Sequence, residues 1–320
     1  MYLNDFAAGL DFLDLTGSDE FTSLLQSAAD LGIPHDRGVR YVSRETVVNH
    51  HRLHFLEWGD PAAPPLLLLH GGNQSAHSWD LVSLHLADRY HIFALDQRGH
   101  GDSEWARDAD YGPGAMAEDA LAFLAQQGVA RPLVMGHSMG GMVTMTLTGA
   151  APHVPRALVI VDVGPEISQR GAEMIRNFIT HNVEFDSIDA FVERVHEYDP
   201  LRSREHQFRT ARYNLIQRSD GKYISKSDRL LHDGAFRERS RRFTDDRRDV
   251  AEGLAAFPGP ILVVRGERSN ILEADAAERF VAGLPTARLV TVPDCAHNVH
   301  TQNTPGFLAA VQPFLHEIDG

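Results

Sequence analysis

The sequence predicts an α/β fold with a mostly parallel central sheet flanked by helices, and three observations predict it. Short apolar runs recur at 66–69, 92–95, 133–135, 158–161 and 261–264, with 289–292 nearly as apolar. Such runs fit strands buried on both faces of a parallel sheet. Helical patterns such as 116–127 and 139–149 lie between them, and this alternation is that of α/β architecture. Finally, a glycine-flanked serine turn leaves the strand at 133–135 and opens a helix.

At 320 residues the chain can bury one large core, or a core with an inserted subdomain. Apolar residues make up 43%, ordinary for a globular chain. The net charge of −14 argues against nucleic acid or an anionic membrane as partner, since both need a basic face. Cys295 is the only cysteine, so no disulfide forms within the chain, which suits a reducing cytoplasm. The first 30 residues carry Asp5, Asp11, Asp14, Asp19 and Glu20, without the basic and apolar regions of a signal peptide. No apolar run approaches the roughly 18 residues of a membrane span. The expected location is the cytoplasm.

Residues 1–38 are expected to form an N-terminal arm. Ser18 can cap a short helix with Phe21, Leu24, Leu25 and Ala28 on one face, before Gly32 and Pro34 stop it. That face is expected to dock on the body; a homodimer contact or a flap over the site are the alternatives. Stretches 40–48 and 52–58 are rich in β-branched and aromatic residues and join through a turn at Asn49-His50-His51. The core is expected over 39–164 and 251–320. Residues 165–250 contain no buried-strand run, and a mainly helical lid there would sit over the C-terminal edge of the sheet, where open α/β sheets bind ligands. The mixed-sign run at 237–249 is expected to be a solvated helix face, with recognition of an anionic substrate as the alternative.

The strongest local signal is Gly136-His137-Ser138-Met139-Gly140-Gly141. A sharp strand-to-helix turn of this kind lifts the serine out of the backbone at strained dihedrals, and glycines two before and two after let strand and helix nearly touch. Ser138 is the candidate nucleophile. Acyl transfer also needs donors for a developing oxyanion: the Met139 N–H, and an N–H from the loop His70-Gly71-Gly72-Asn73, with Gly72 the first choice. The base is expected late in the chain, and His297 follows the strand at 289–292, with His300 as its rival. Asn73, His137 and Trp79 are the candidate substrate-binding residues. Met139, Met142 and Trp105 are further candidates for an acyl pocket, and Trp79 has a second reading as a core anchor. Cys295 is read as a small packed residue. No metal-ligand spacing stands out, so neither metal nor cofactor is expected.

Over about residues 40–318 the chain resembles the α/β-hydrolase superfamily. The motifs that carry the resemblance are HGGN at 70–73, DQRGHGDS at 96–103, GHSMGG at 136–141 and AHNV at 296–299. The resemblance puts Ser138, Met139, Gly72 and His297 on functional positions and gives the turn at 96–103 a structural role. The sequence departs from the family at the acid. Many relatives carry it after the strand that follows the lid, but here that loop offers Ser269 and Asn270, neither ionisable. A second location is used in the superfamily, at the end of the strand after the nucleophile helix, and here it holds Asp162. In this respect the chain is similar to small bacterial acyl esterases with a VD-x-x-P stretch and a serine in the later loop. Asp162 is therefore the candidate acid; the alternatives are a turn role before Gly164-Pro165, Glu267 as the acid, or no acid at all.

The resemblance implies a serine hydrolase acting on a small-molecule acyl substrate: a carboxylic ester, thioester or lactone. The alternatives are C–C bond hydrolysis of a diketone-like ring-fission product, and a ligand-binding relative with weak turnover. An epoxide hydrolase or dehalogenase is disfavoured, because both place aspartate where this chain has Ser138.

Overall fold

The computed structural model describes residues 13–14, 19–36, 38–39, 41–181, 183–232 and 247–320. The chain runs β1 (Leu13–Asp14), α1 (Asp19–Asp30), β2 (Tyr41–Val48), β3 (His51–Trp58), β4 (Pro65–Leu69), a 3₁₀ turn (Ala76–Trp79), α2 (Asp80–Leu86), β5 (His91–Leu95), α3 (Pro113–Gln126), β6 (Leu133–His137), α4 (Met139–Ala150) and β7 (Ala157–Val161). Next come α5 (Gln169–His181), β8 (Glu184–Phe185), α6 (Ile188–Tyr198), α7 (Arg204–Asn214), β9 (Leu215–Gln217), β10 (Tyr223–Ser225), a 3₁₀ turn (Arg229–His232) and α8 (Arg247–Ala255). The chain ends with β11 (Ile261–Gly266), α9 (Ala274–Ala282), β12 (Ala287–Val292), α10 (Val299–Gln302) and α11 (Thr304–Asp319).

Among the described residues nine strands form one sheet in the order β1-β2-β3-β5-β4-β6-β7-β11-β12. From β5 to β12 every neighbouring pair is parallel, and β1, β2 and β3 extend the β5 edge antiparallel. Alternate side chains point to opposite faces of a strand. Leu66 and Leu68 thus join one apolar cluster, while Leu67 and Leu69 join the other. This two-sided burial is why the core strands have continuous apolar runs. The β2–β3 hairpin closes through Asn49 and His50, both at positive φ (49° and 64°), as a two-residue turn requires. His51 is already in β3. Phe21, Leu24 and Ala28 of α1 are buried in the first cluster, beside Leu84 and Trp58. Ser18 and residues 237–246 of the charged run lie outside the described residues.

Between β7 and β11 the chain carries α5 to α8 and a separate antiparallel sheet in the order β8-β10-β9. These strands have two or three residues each and few buried side chains, so they leave no apolar run in the sequence. Phe185, Val192, Ala211 and Leu215 form a small core of their own there. Several polar contacts tie this inserted segment to the main body. Arg209 pairs with buried Asp80 at 2.7 Å, and Tyr213 stacks on His77 with ring centroids 3.4 Å apart. Tyr111 Oη donates to Asp228 at 2.5 Å. Among the described residues no helix is long and apolar enough to cross a membrane.

Candidate active site

Ser138 sits between β6 and α4 at φ 50° and ψ −112°, a conformation a β-carbon resists. The flanking glycines explain how it is held. A β-carbon on Gly136 would lie 2.2 Å from the Gly140 carbonyl oxygen, and one on Gly140 would lie 2.2 Å from the Leu69 carbonyl oxygen. Helix and strand can approach this closely only without side chains at those positions. Two further bonds fix the turn: Ser138 N–H donates to Val161 O at 2.9 Å, and Gly140 N–H donates to His70 O at 3.1 Å.

Loops beyond β7, β11 and β12 bring the remaining groups to this turn. His297 Nε2 is 2.9 Å from Ser138 Oγ, and His297 Nδ1 is 2.8 Å from Asp162 Oδ2. Asp162 is fully buried at the tip of β7, itself at φ 53°. Its carboxylate accepts two more bonds, from Gly266 N–H at 2.9 Å and from Ser269 Oγ at 2.5 Å. A buried carboxylate needs such donors. Ser269, one of the two positions in the loop after β11 where the resemblance places an acid, donates its hydroxyl to the Asp162 carboxylate. β7 and β11 are adjacent and parallel, which lets both strand tips reach the same histidine. Asn270, in contrast, is exposed and contacts Met174 Sδ at 3.6 Å. Glu267 accepts the Asp294 N–H.

The loop after β4 faces this group. Gly72 is exposed, and a β-carbon there would meet no atom within 4 Å, so its backbone borders open space. Met139 N–H belongs to the first turn of α4, where amides have no partner within the helix. A chain of side-chain bonds locks the loop to the histidine loop. Gln74 Oε1 accepts Gly71 N–H at 3.1 Å, and Gln74 Nε2 donates to Asn298 Oδ1 at 3.1 Å. Asn298 Nδ2 and Gln302 Nε2 both donate to Asp199, at the end of α6, at 3.0 and 2.5 Å. Gln302 Oε1 accepts Ala296 N–H at 2.6 Å. Both neighbours of His297 are thereby tied down, one of them to the inserted segment. Sequence reasoning missed Gln74, Asp199, Asn298 and Gln302. Only the HGGN and AHNV motifs pointed to their neighbourhood.

Some expected substrate-binding residues lie elsewhere. Trp79 is fully buried and stacks on His300 with centroids 4.0 Å apart, so it anchors the core rather than lining a pocket. His137 is buried behind the site, where its Nε2 donates to the His297 carbonyl at 2.9 Å. β6 alternation sends its side chain away from the face that bears Ser138. Burial, with His300 and His297 nearby, holds the His137 pKa well below the ordinary value, so the ring is neutral. Asn73 is half-buried at φ 57°, in the left-handed region that asparagine tolerates in turns. Trp105 is exposed and its Nε1 donates to Lys226 O, so it ties down the inserted segment. Met139 and Met142 pack partly buried beside the apolar cluster. Cys295 is buried, and burial raises its thiol to about 11, too high for a nucleophile.

The turn at 96–103 is scaffolding. Asp96 accepts Ala76 N–H at 2.6 Å, Asp102 N–H at 2.9 Å and His54 Nδ1 at 2.7 Å. Burial works to raise the Asp96 carboxyl, but His54 overcomes it and holds it well below the usual carboxylate range. His54, Asp96 and Asp102 gather their ligand atoms within 4.8 Å. Those of His54 and Asp96 are bonded to each other, and Asp102 is paired with the Lys226 ammonium at 2.5 Å.

Fold and site together define a class: hydrolases built on a parallel α/β sheet, with their reactive groups on loops at its C-terminal edge. The chain belongs to the alpha/beta hydrolase fold family, which matches residues 64–304, and it is a hydrolase. It is 30% identical over 272 residues to the esterase Rv0045c of Mycobacterium tuberculosis, covering 83% of this chain and 85% of that protein. It is also 30% identical over 263 residues to the 3-hydroxybutyrate-oligomer hydrolase of Cupriavidus necator, covering 77% of this chain and 87% of that one. Among solved structures, an alpha/beta hydrolase from Novosphingobium aromaticivorans superposes with a TM-score of 0.74 at 30% identity, covering 86% of this chain and 98% of that chain.

Proposed function

We propose that this chain is a serine hydrolase that cleaves a carboxylic ester, thioester or lactone of a small acyl substrate through an acyl-enzyme. The observation that carries the reading is the continuous hydrogen-bonded line from Ser138 Oγ through both nitrogens of His297 to buried Asp162. Ser138 attacks the carbonyl carbon while His297 Nε2 takes its proton. Asp162 holds the tautomer that leaves Nε2 free to accept, and offsets the imidazolium charge that then forms. Met139 N–H and Gly72 N–H face the developing oxyanion, and each donor of this kind is worth roughly 3–4 kcal/mol of barrier. His297 returns the proton to the leaving alcohol or thiol. It then activates water, which releases the acid and regenerates Ser138. The names of the two relatives at 30% identity, an esterase and an oligomer hydrolase, support the same reaction type.

The test is turnover of a p-nitrophenyl ester series, acetate through decanoate, by the wild type, Ser138→Ala, Asp162→Asn and Asn270→Ala. The reading expects wild-type turnover, none by Ser138→Ala, a loss of orders of magnitude in Asp162→Asn and little change in Asn270→Ala. Turnover that survives in Ser138→Ala refutes it.

A further inference from the structure

A second polar centre lies beside the site, between α7 and the loop that carries His297. Arg202, just before α7, is half-buried. Its Nη2 donates to Thr210 Oγ1 and, at 3.5 Å, to His206 O. Among the described residues no carboxylate oxygen comes within 4.0 Å of its guanidinium. Asp199 is an acid whose charge reaches it, but the Asp199 oxygens are taken by Asn298 and Gln302. Burial pulls the Arg202 pKa down to about 10, with Asp199 opposing, and the group stays charged.

Around this cation, buried polar atoms lack partners among the described residues. They are Arg202 Nε, Arg209 Nε, Gln207 Oε1, and both ring nitrogens of His206 and of His300. His206 and His300 feel each other and feel Arg202, and burial holds both well below the ordinary histidine pKa. Each ring is therefore neutral, with one N–H to donate. Buried polar groups in native proteins are almost always paired, and buried charges are compensated. Gln207 Oε1 can only accept, but Arg202 Nε, Arg209 Nε and one N–H on each ring are open donors, gathered around a guanidinium with no ion-pair partner within 4.0 Å among the described residues, and such a group suits an anion. The place adjoins the loop of His297 through Asp199, whose charge reaches Arg202 and whose carboxylate accepts from Asn298 and Gln302.

We propose that this cluster is an anion subsite in which Arg202, with N–H groups of His206 and His300, binds a carboxylate carried by the ester substrate. The inference rests on the ester-hydrolase reading and narrows it to esters that bear a free carboxylate. With Nη2 engaged, the guanidinium offers its open Nε–H and its charge to that group, a charge-assisted contact.

Two matched pairs test the proposal and locate the carboxylate. Mono-p-nitrophenyl glutarate, against its methyl ester, carries it on the acyl side. 4-Butyryloxybenzoate, against its methyl ester, carries it on the alcohol side. The expected result is a kcat/KM about 10- to 100-fold higher for the free acid of one pair, the size of a charge-assisted hydrogen bond. In Arg202→Leu that ratio collapses towards one. Arg202→Lys and His206→Gln give intermediate ratios, and they carry the test alone if the leucine variant does not fold. A readout without turnover accompanies it: glutarate raises the Tm of Ser138→Ala, and the shift disappears when Arg202→Leu is added. No preference in either wild-type pair, a ratio that persists in Arg202→Leu, or a glutarate shift that ignores Arg202 overturns the proposal. If glutarate binds through Arg202 but no ester is turned over, the ester reading fails while the anion subsite stands.

Discussion

Asp162 accepts three hydrogen bonds, from His297, Gly266 and Ser269, so losing the acid and losing one of its supports differ in scale. Asp162→Asn keeps the shape but presents an amide N–H where an acceptor is needed. The expected loss in kcat is roughly 10³–10⁴-fold, because the histidine is left in the wrong tautomer. Ser269→Ala removes one donor to a charged group and leaves the triad geometry in place. Its expected cost in kcat/KM is about tenfold, at the low end for a charge-assisted bond. Steady-state kinetics on one ester separates the two, and equal losses would contradict the assigned hierarchy. The convergence of Ser138, His297 and Asp162 was legible in the sequence, since each candidate follows a recognisable strand run and position 269 is not ionisable. That Ser269 donates to Asp162 was not legible, because their contact depends on two strand tips 107 residues apart in sequence.

At the scale of elements, the turn between β6 and α4 tolerates no added atoms. Gly136→Ala places a β-carbon 2.2 Å from the Gly140 carbonyl oxygen and 2.3 Å from Thr144 Oγ1. Backbone must move to relieve this, so a loss of about 3 kcal/mol is expected in urea unfolding, with activity falling alongside. A wild-type midpoint would show that the strand and helix are less close than described. The inserted segment meets the histidine loop through Asp199, which receives both Asn298 and Gln302. Asp199→Asn leaves one acceptor for two donors, and about a tenfold fall in kcat is expected as the loop around His297 loosens. The β8-β10-β9 sheet and the Asp199 bonds had no signature in the sequence. Strands of two or three residues carry no periodicity, and a single aspartate after a helix is an ordinary residue. The core strands were legible because burial on both faces leaves an apolar run with no polar alternation. Trp79 and His137 misled for a related reason: proximity in sequence to the loop and the elbow does not say which face of the sheet a side chain joins.

Across the whole molecule, buried histidines set the pH response of stability. His137, His206 and His300 have folded pKa values well below the ordinary value near 6.5. Below about pH 6.5 the unfolded chain therefore binds protons that the folded chain refuses, and stability falls as pH falls. The slope is up to about 1.4 kcal/mol per pH unit for each such histidine. His54 runs the other way: Asp96 raises its folded pKa against burial, so its contribution is complete below pH 6.5 and is lost as pH rises through the folded value. As pH falls through that folded value towards 6.5 His54 adds stability, and below 6.5 its contribution is constant, so the loss from the three depressed histidines is then unopposed by it. Urea midpoints should drop between about pH 7.5 and about pH 5.5, and His300→Gln should flatten that drop. Equal midpoints at the two values would mean that these rings take up protons in the folded state. The overall topology followed from the alternation of apolar runs and helical patterns. The packing of the inserted segment onto the body did not, because ion pairs such as Arg209–Asp80 join residues 129 apart.

The most direct test of the central claim, that Ser138 activated by His297 is the nucleophile, is intact mass after exposure to a fluorophosphonate ester. One stoichiometric adduct is expected on the wild type, located by peptide mapping to Ser138, absent in Ser138→Ala and strongly slowed in His297→Gln. An adduct on another residue, or labelling at an unchanged rate in His297→Gln, would contradict it.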